Sequence, residues 1–319
     1  MNPPAYKPLA VVIPAYKCEF LREALESLAA QTCLDFTVYL GDDASPHDLG
    51  SIVEEFRERL DVRYHRFEDN RGAVDLVAQW SRCVDLSGDE PLLWLFSDDD
   101  VAEARCVEEL LGMADLEPEV DVFRFDIQIV DREGRPTRPC RPFPPHLSAG
   151  DFLAGLFRGR LDARMPEFVF RKDAFVRRGG FERFDLAFRT DTATVAKFAA
   201  RGGISTVPGP RVHWRESGGN VSCRPEPDQV LRRVRATVDF FDWLEGFLVE
   251  ERIPCRLGAL ERLRVVLENA SPLVATHGLG VAAAEANRSR ILLRNPWLRP
   301  ASRGFLLFQS TFYPRHRGL

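Results

Sequence analysis

Apolar and polar positions alternate between two periods along residues 9–131. LAVVI (9–13) is a short β-branched run of the kind a buried strand shows, and it stops at Pro14. EFLREALESLAAQT follows, with Leu21, Ala24, Leu25, Leu28 and Ala29 at helical spacing. FTVYL (36–40) predicts a second strand, closed by Gly41-Asp42-Asp43. Ser45-Pro46 fits an N-cap with proline at the first helical position, so a helix is expected from there through Leu60. VRYHRF (62–67) predicts a third strand, residues 72–85 a helix, and PLLWLF (91–96) a fully buried fourth strand. Helical patterning resumes near Glu103 and runs to about Asp115. VDVFRFDIQIVD (120–131) alternates with period two and ends in the turn signal Asp131-Arg132-Glu133-Gly134.

Strand–helix alternation of this kind predicts an α/β fold built on a mostly parallel sheet with both faces covered. Ligands of such sheets sit beyond the carboxyl ends of the strands. Three predicted strand ends carry polar clusters: Pro14-Ala15-Tyr16, Asp42-Asp43 and Ser97-Asp98-Asp99-Asp100. All three would gather on one edge. Farther on, RPTRPCRPFPPHL (135–147) reads as an irregular connection or a mobile loop. FVFRK (168–172) predicts a strand, residues 190–201 a helix, and ISTVP and RVHW two short strands. From about Pro225 the pattern is helical, ending in a shorter basic stretch.

The 319 residues are 45% hydrophobic and 29% charged, which excludes a disordered or collagenous polymer and suggests about two domains. No apolar run approaches the roughly 20 residues needed to span a bilayer. The N-terminus lacks a basic segment followed by a long apolar one, so a cytoplasmic location is expected. Seven cysteines (Cys18, Cys33, Cys83, Cys106, Cys140, Cys223, Cys255) include no pair at metal-ligand or redox spacing, which fits reduced thiols. The net charge of −5 is uneven: residues 286–319 carry seven Arg and no Asp or Glu, leaving the rest at −12. An acidic body argues against nucleic acid as a partner.

Chemistry concentrates at the strand ends. Three consecutive carboxylates repel one another unless a cation sits among them, and Mn²⁺ or Mg²⁺ would keep sites free for phosphate oxygens. The other reading of Asp98-Asp99-Asp100 is a solvated acidic turn that caps the helix near Glu103. Asp42-Asp43-Ala44-Ser45 caps the next helix or accepts from a nucleobase or ribose. Arg71, beside Asn70 and Gly72, either contacts a base or phosphate or is an ordinary surface residue. His47 and His65 are expected at the surface, Trp80, Trp94 and Trp243 in the core. Trp214 either joins them or stacks on a sugar ring, and Gly218-Gly219 forms a hinge or a turn.

VVIPAYKCEFLREALESLAAQT, YLGDDAS, EDNRGA and LWLFSDDD, in this order over residues 8–115, resemble the nucleotide-binding half of family 2 glycosyltransferases with the GT-A fold. FRKDAFVRRGGFERFDLAFRTDTATVAKFAARGG and VHWRESGGNVS are similar to the family's acceptor half. The resemblance implies a GT-A domain over 1–222 and a helical C-terminal region over 223–319. It also implies inverting transfer of a sugar from a nucleotide-diphosphate donor, such as a UDP-sugar. The acceptor would be a carbohydrate or a lipid-linked glycan, and the setting bacterial surface polysaccharide assembly.

Carried over by position, Pro14, Ala15 and Tyr16 would line the nucleoside pocket. Asp43 would bind the base, with Asn70 and Arg71 beside it. His213, Arg215 and Ser217 would lie near the diphosphate, and Asp191 would be the catalytic base. The metal-binding D-x-D falls on Ser97-Asp98-Asp99 by its flanks and on Asp98-Asp99-Asp100 by itself. The metal is thus assigned to Asp99 and Asp100, and Asp98 to the donor. The family's Glu-Asp pair reads Thr190-Asp191 here, with Asp185 as the reserve base.

Two rivals remain. A sugar nucleotidyltransferase would want a Gly-rich phosphate loop where this chain has PAYKCEF. A non-catalytic nucleotide-sugar-binding scaffold would need no base. The Arg-rich, aromatic tail over 286–319 fits either peripheral contact with the inner face of a membrane or packing of its aromatics on the acidic body or, in a homo-oligomer, on a sister subunit, with the Arg side chains paired to carboxylates there.

Overall fold

The computed structural model describes residues 6–218 and 227–312. The chain divides into two compact units. The first is Met1–Ala149, Leu161–Phe181 and Thr194–Ser217; the second is Gly150–Arg160, Glu182–Ala193 and Gly218–Leu319.

The first unit holds a ten-stranded mixed sheet. Its strands are β1 (Leu9–Ala15), β2 (Phe36–Asp42), β3 (Val62–Arg66), β4 (Leu92–Leu95), β5 (Val101–Ala102), β6 (Val122–Val130), β7 (Pro136–Pro139), β8 (His146–Leu147), β9 (Phe168–Arg171) and β10 (Ile204–Arg215). The order is β3-β2-β1-β4-β9-β6-β10-β5, with β7 on β6 and β8 on β10. β1 to β4 pair in parallel, as the βαβ pattern predicts. β9 runs antiparallel to both β4 and β6, so the sheet is mixed rather than mostly parallel. A short apolar strand reads alike in both directions, which is why its sense was not legible.

Residues of β1 are almost wholly buried, and α1 (Leu21–Ala29) covers the sheet with Leu21, Ala24, Leu25 and Leu28, all at 0% exposure. α2 (Leu49–Glu54) starts later than Ser45-Pro46 suggested. Asp48 caps it by accepting from Ser51 N (3.1 Å), while Ser45 is diverted, donating its hydroxyl to Tyr16 O (2.6 Å). α3 (Leu76–Val84) is capped by Asp75, and α4 (Cys106–Leu116) follows β5; α5 (Ala149–Phe157), α6 (Lys172–Arg177) and α7 (Thr190–Phe198) come later in the chain. The Pro- and Arg-rich segment carries two short strands, β7 on β6 and β8 on β10; proline is tolerated in β7 because an edge ladder leaves N–H positions unused. ISTVP and RVHW are one strand, β10, broken by a bulge between Val207 and Arg211 where Pro208-Gly209-Pro210 interrupts the ladder.

Deep in this unit Arg124 of β6 and Glu167 form a buried ion pair at 2.6 Å. Trp94 of β4 donates its indole N–H to Pro166 O (2.7 Å), tying β4 to the turn that carries Glu167. Trp214, 8% exposed, packs with Ile127 and Ile129 under the Arg164 guanidinium, which lies 4.7 Å from its ring centroid.

The second unit is mainly helical: α8 (Pro227–Glu250), α9 (Ala259–Ala286), α10 (Arg290–Arg294) and α11 (Arg299–Phe312). α9 bends at Gly278, whose φ of 82° ends one helical stretch and begins another. Phe157, Phe240 and Phe241 form an aromatic cluster, and Trp243 stacks on Phe247 at 4.8 Å. Among the described residues no helix is long and apolar enough to cross a membrane.

Candidate functional site

Parallel pairing of β2, β1 and β4 brings their carboxyl ends together. Ala15 stands opposite Asp42 and Val12 opposite Leu95. Asp43 N donates to Ala15 O (2.9 Å), and Asp98 Oδ2 accepts from Tyr16 N (2.9 Å) and Lys17 N (3.0 Å). The three polar clusters singled out in the sequence thus form one continuous edge. Pro14 is half-buried, Ala15 buried, and Tyr16 exposes its ring at 40%.

The aspartates after β4 have three different environments. Asp98 closes the loop after β1 through the two N–H groups just named. Burial, with the Asp99 carboxylate adding to it, pushes its carboxyl up to about 6 despite those donors. Asp99 is buried, and its Oδ2 accepts from the Ser217 hydroxyl (3.0 Å). Asp100 is fully buried; Oδ1 accepts from Arg215 N (2.9 Å), and Oδ2 has no hydrogen-bond partner among the described residues. Burial, then the Asp99 charge, pushes Asp100 well above the usual carboxylate range, against the pull of Arg215 N–H and the Ser97 hydroxyl. Among the described residues, the hydrogen bonds these carboxylates accept come from backbone N–H groups and serine hydroxyls.

Among the described residues no three metal-ligating side chains converge. A divalent cation here would rest on Asp99 and Asp100 and take its other oxygens from ligand and water, as Mg²⁺ does at nucleotide sites. The buried, unpartnered Asp100 Oδ2 fits that donor set, because an acceptor left dry without a donor is costly.

Arg215 builds the floor of this edge. It is 1% exposed and lies over the Phe20 ring at 4.4 Å. Its Nε donates to Asp99 O (2.9 Å), Nη1 to Arg132 O (2.7 Å) and Nη2 to the Glu23 carboxylate. Arg132 in turn donates to Ser217 O (2.7 Å) and pairs with Glu19. Arg215 and Ser217 therefore meet the aspartate row. His213 meets Glu103 instead, through Nε2 at 3.0 Å.

Asp43 is 3% exposed and clamps the loop that holds Asn70 and Arg71. Oδ1 accepts from Arg71 N (2.9 Å) and Oδ2 from Gly72 N (2.8 Å). Arg82 of α3, which the sequence pattern did not single out, pairs with the same carboxylate and donates to Asp69 Oδ1 (2.6 Å). The Arg82 guanidinium also covers the Phe67 ring at 3.9 Å. Asn70 turns inward on its own loop, accepting from Ala73 N (3.0 Å), and the exposed Arg71 side chain pairs with Asp69 at 3.3 Å.

A Cβ on Gly72 would lie 2.6 Å from Asp43 Oδ2. Gly72→Ala is therefore expected to open the clamp and cost about 1–3 kcal/mol, the range for overpacking. Urea unfolding checks the stability and nucleotide titration the pocket; unchanged values for both would mean that the loop moves freely.

Asp191 belongs to the second unit, in the first turn of α7 (Thr190–Phe198). Its Oδ1 accepts from Thr192 N (2.7 Å) and the Thr192 hydroxyl (3.3 Å), with no bond to Oδ2 among the described residues. Asp185 is occupied: Arg232 grips both oxygens at 2.8 and 2.5 Å and holds its carboxyl below the usual range. Leu186, Ala187 and Arg189, which lead into Asp191, have φ of 58°, 54° and 75°. Left-handed non-glycine residues cost energy and gather at functional sites. Gly219, Cys223 and Tyr313 lie outside the described residues.

The family model for glycosyl transferase family 2 matches residues 10–176. Among solved structures, S. aureus TarS 1–349 in complex with UDP-GlcNAc is similar, with a TM-score of 0.63 and 16% identity. The match covers 95% of this chain and 89% of that one. The same TarS segment in complex with UDP gives 0.60 and 16%, covering 96% and 93%. The mannosyltransferase PcManGT from Pyrobaculum calidifontis, in complex with GDP-Man and Mn²⁺, gives 0.52 and 16%, covering 98% and 90%. These likenesses establish the GT-A fold. No curated protein sequence matches the chain.

Proposed function

Because the chain belongs to glycosyl transferase family 2, we propose that it moves a sugar from a UDP-type donor to a hydroxyl of a carbohydrate or lipid-linked glycan, with inversion. One observation carries this reading. Buried acidic residues after the parallel strand β4 accept from backbone N–H and hydroxyl donors and, among the described residues, leave Asp100 Oδ2 unpartnered. That is a buried acceptor able to meet a cation, placed where sheets of this kind bind nucleotides.

Pro14, Ala15 and Tyr16 line the nucleoside side. Asp43 shapes the base pocket both directly and through the Arg71–Gly72 loop it clamps. Asp98 fixes the Tyr16–Lys17 backbone, Ser217 orients Asp99, and Arg215 keeps the aspartate row in place. His213 is the flanking polar group, set by Glu103. Asp99 and Asp100 would hold Mn²⁺ or Mg²⁺, which when bound would supply positive charge against the departing diphosphate. Asp191 takes the proton from the acceptor hydroxyl as the new bond forms. One such base with in-line attack gives inversion.

Incubating the purified chain with a panel of nucleotide sugars and Mn²⁺ tests the reading. Slow release of nucleoside diphosphate from one donor is expected, lost with chelator and with Asp99→Asn. A panel in which no donor is bound or consumed would overturn it.

A further inference from the structure

The last described helix of the second unit has two apolar sides. α11 turns Ser302 and Leu306 inward, at 5% and 0% exposure. Ala301, Phe305, Phe308 and Phe312 recur at i, i+4, i+7 and i+11, which is one stripe on a different side of the helix. Phe308 is 51% exposed and Phe312 67%, with their ring centroids 5.0 Å apart. Trp297, just before the helix, is 73% exposed. Scattered exposed apolar residues are normal, but a stripe of large aromatics marks a contact surface.

The charge around the stripe is one-sided. Residues 286–319 contain seven Arg and no acidic residue. Arg288, Arg290 and Arg294 are matched by Glu285, Asp242 and Glu245 of α8 and α9. Arg303, exposed on α11, has no ion-pair partner among the described residues. A second copy meeting this stripe with its own would bring α11 arginines together, with no acid on α11 to offset them. A layer of anionic headgroups supplies the missing charge and accepts aromatic rings at its acyl boundary.

We propose that α11 seats the protein on an anionic lipid surface, with Phe308 and Phe312 entering the headgroup–acyl boundary and Arg303 against acidic headgroups. The contact is peripheral and reversible, as a single short amphipathic helix dictates. It stands independently of the donor and the reaction.

Sedimentation of the full chain with vesicles tests it. One set is phosphatidylcholine, the other phosphatidylcholine with about one quarter phosphatidylglycerol. Binding to the acidic vesicles is expected to exceed binding to the neutral ones about tenfold and to weaken with salt. Phe308→Ser with Phe312→Ser should lower it about tenfold, and Arg303→Glu should lower it further. Circular dichroism melting checks that the variants stay folded, and Arg303→Glu, a surface change, serves alone where the double variant melts early. No vesicle binding, equal binding to both sets, or binding indifferent to these changes would overturn the proposal. So would stripe-dependent dimers in sedimentation velocity without vesicle binding, which would assign the stripe to a second copy.

Discussion

Asp191→Asn is expected to leave donor binding intact and to cut turnover by about 10²–10⁴-fold, the usual worth of a positioned general base. Asparagine keeps an Oδ1 that accepts from the Thr192 N–H and hydroxyl, so the start of α7 should hold its conformation. What it loses is the second carboxylate oxygen, which has no protein partner among the described residues. Asp185 is a poor substitute, since Arg232 takes both of its oxygens and stabilises their charge. Donor affinity by calorimetry and kcat by release of nucleoside diphosphate separate the two effects. Turnover within about threefold of the parent would remove Asp191 from the chemistry. Donor binding with no turnover in the unaltered chain would favour a nucleotide-sugar-binding scaffold instead.

The largest loss of stability is expected from Glu167→Ala, about 3–5 kcal/mol. Arg124 is 1% exposed and Glu167 0%. Arg124 Nε and Nη2 both donate to Glu167 Oε2, at 3.0 and 2.6 Å, and Oε1 accepts from Arg164 N (2.6 Å). Phe143 closes over the guanidinium at 3.9 Å. Removing Glu167 leaves a buried cation whose remaining ion-pair partner among the described residues is Asp126, at 2.7 Å, and strands the Arg164 N–H. Replacing both partners, Arg124→Met with Glu167→Met, should cost less than the single change, because no uncompensated charge remains. Urea unfolding of both variants decides it; a single variant within about 1 kcal/mol of the parent would mean that water reaches the pair. The consequence reaches the site, since Glu167 ends the turn that Trp94 grips, and Trp94 lies on the strand that leads to the aspartates.

Much of the donor edge was legible in the chain itself. LAVVI, FTVYL and PLLWLF each end in polar residues, and runs of one period with short connections leave little choice but parallel strands with ends aligned. Period is a local property, set by how side chains point from each backbone. Other features were not local. The start of α2 went to Asp48 because Ser45 found a partner 29 residues away, at Tyr16 O. The sense of β9 depends on which strands flank it, and a four-residue apolar run carries no mark of direction.

The sequence by itself determined the α/β alternation, the acidic strand ends and the family of this protein. Hydrophobic periodicity and motif order are written within short windows. Only the tertiary structure decided what each charge does. Arg82 reaches Asp43 across 39 residues, Arg124 reaches Glu167 across 43, and Arg215 reaches Glu23 across 192. In a chain with 39 arginines, Arg82 and Arg124 looked like any other surface cation, and Arg215 stood out only through the family resemblance. Burial and direction of a side chain arise from packing between elements distant in sequence, and these make one arginine a structural floor and another a solvated bystander.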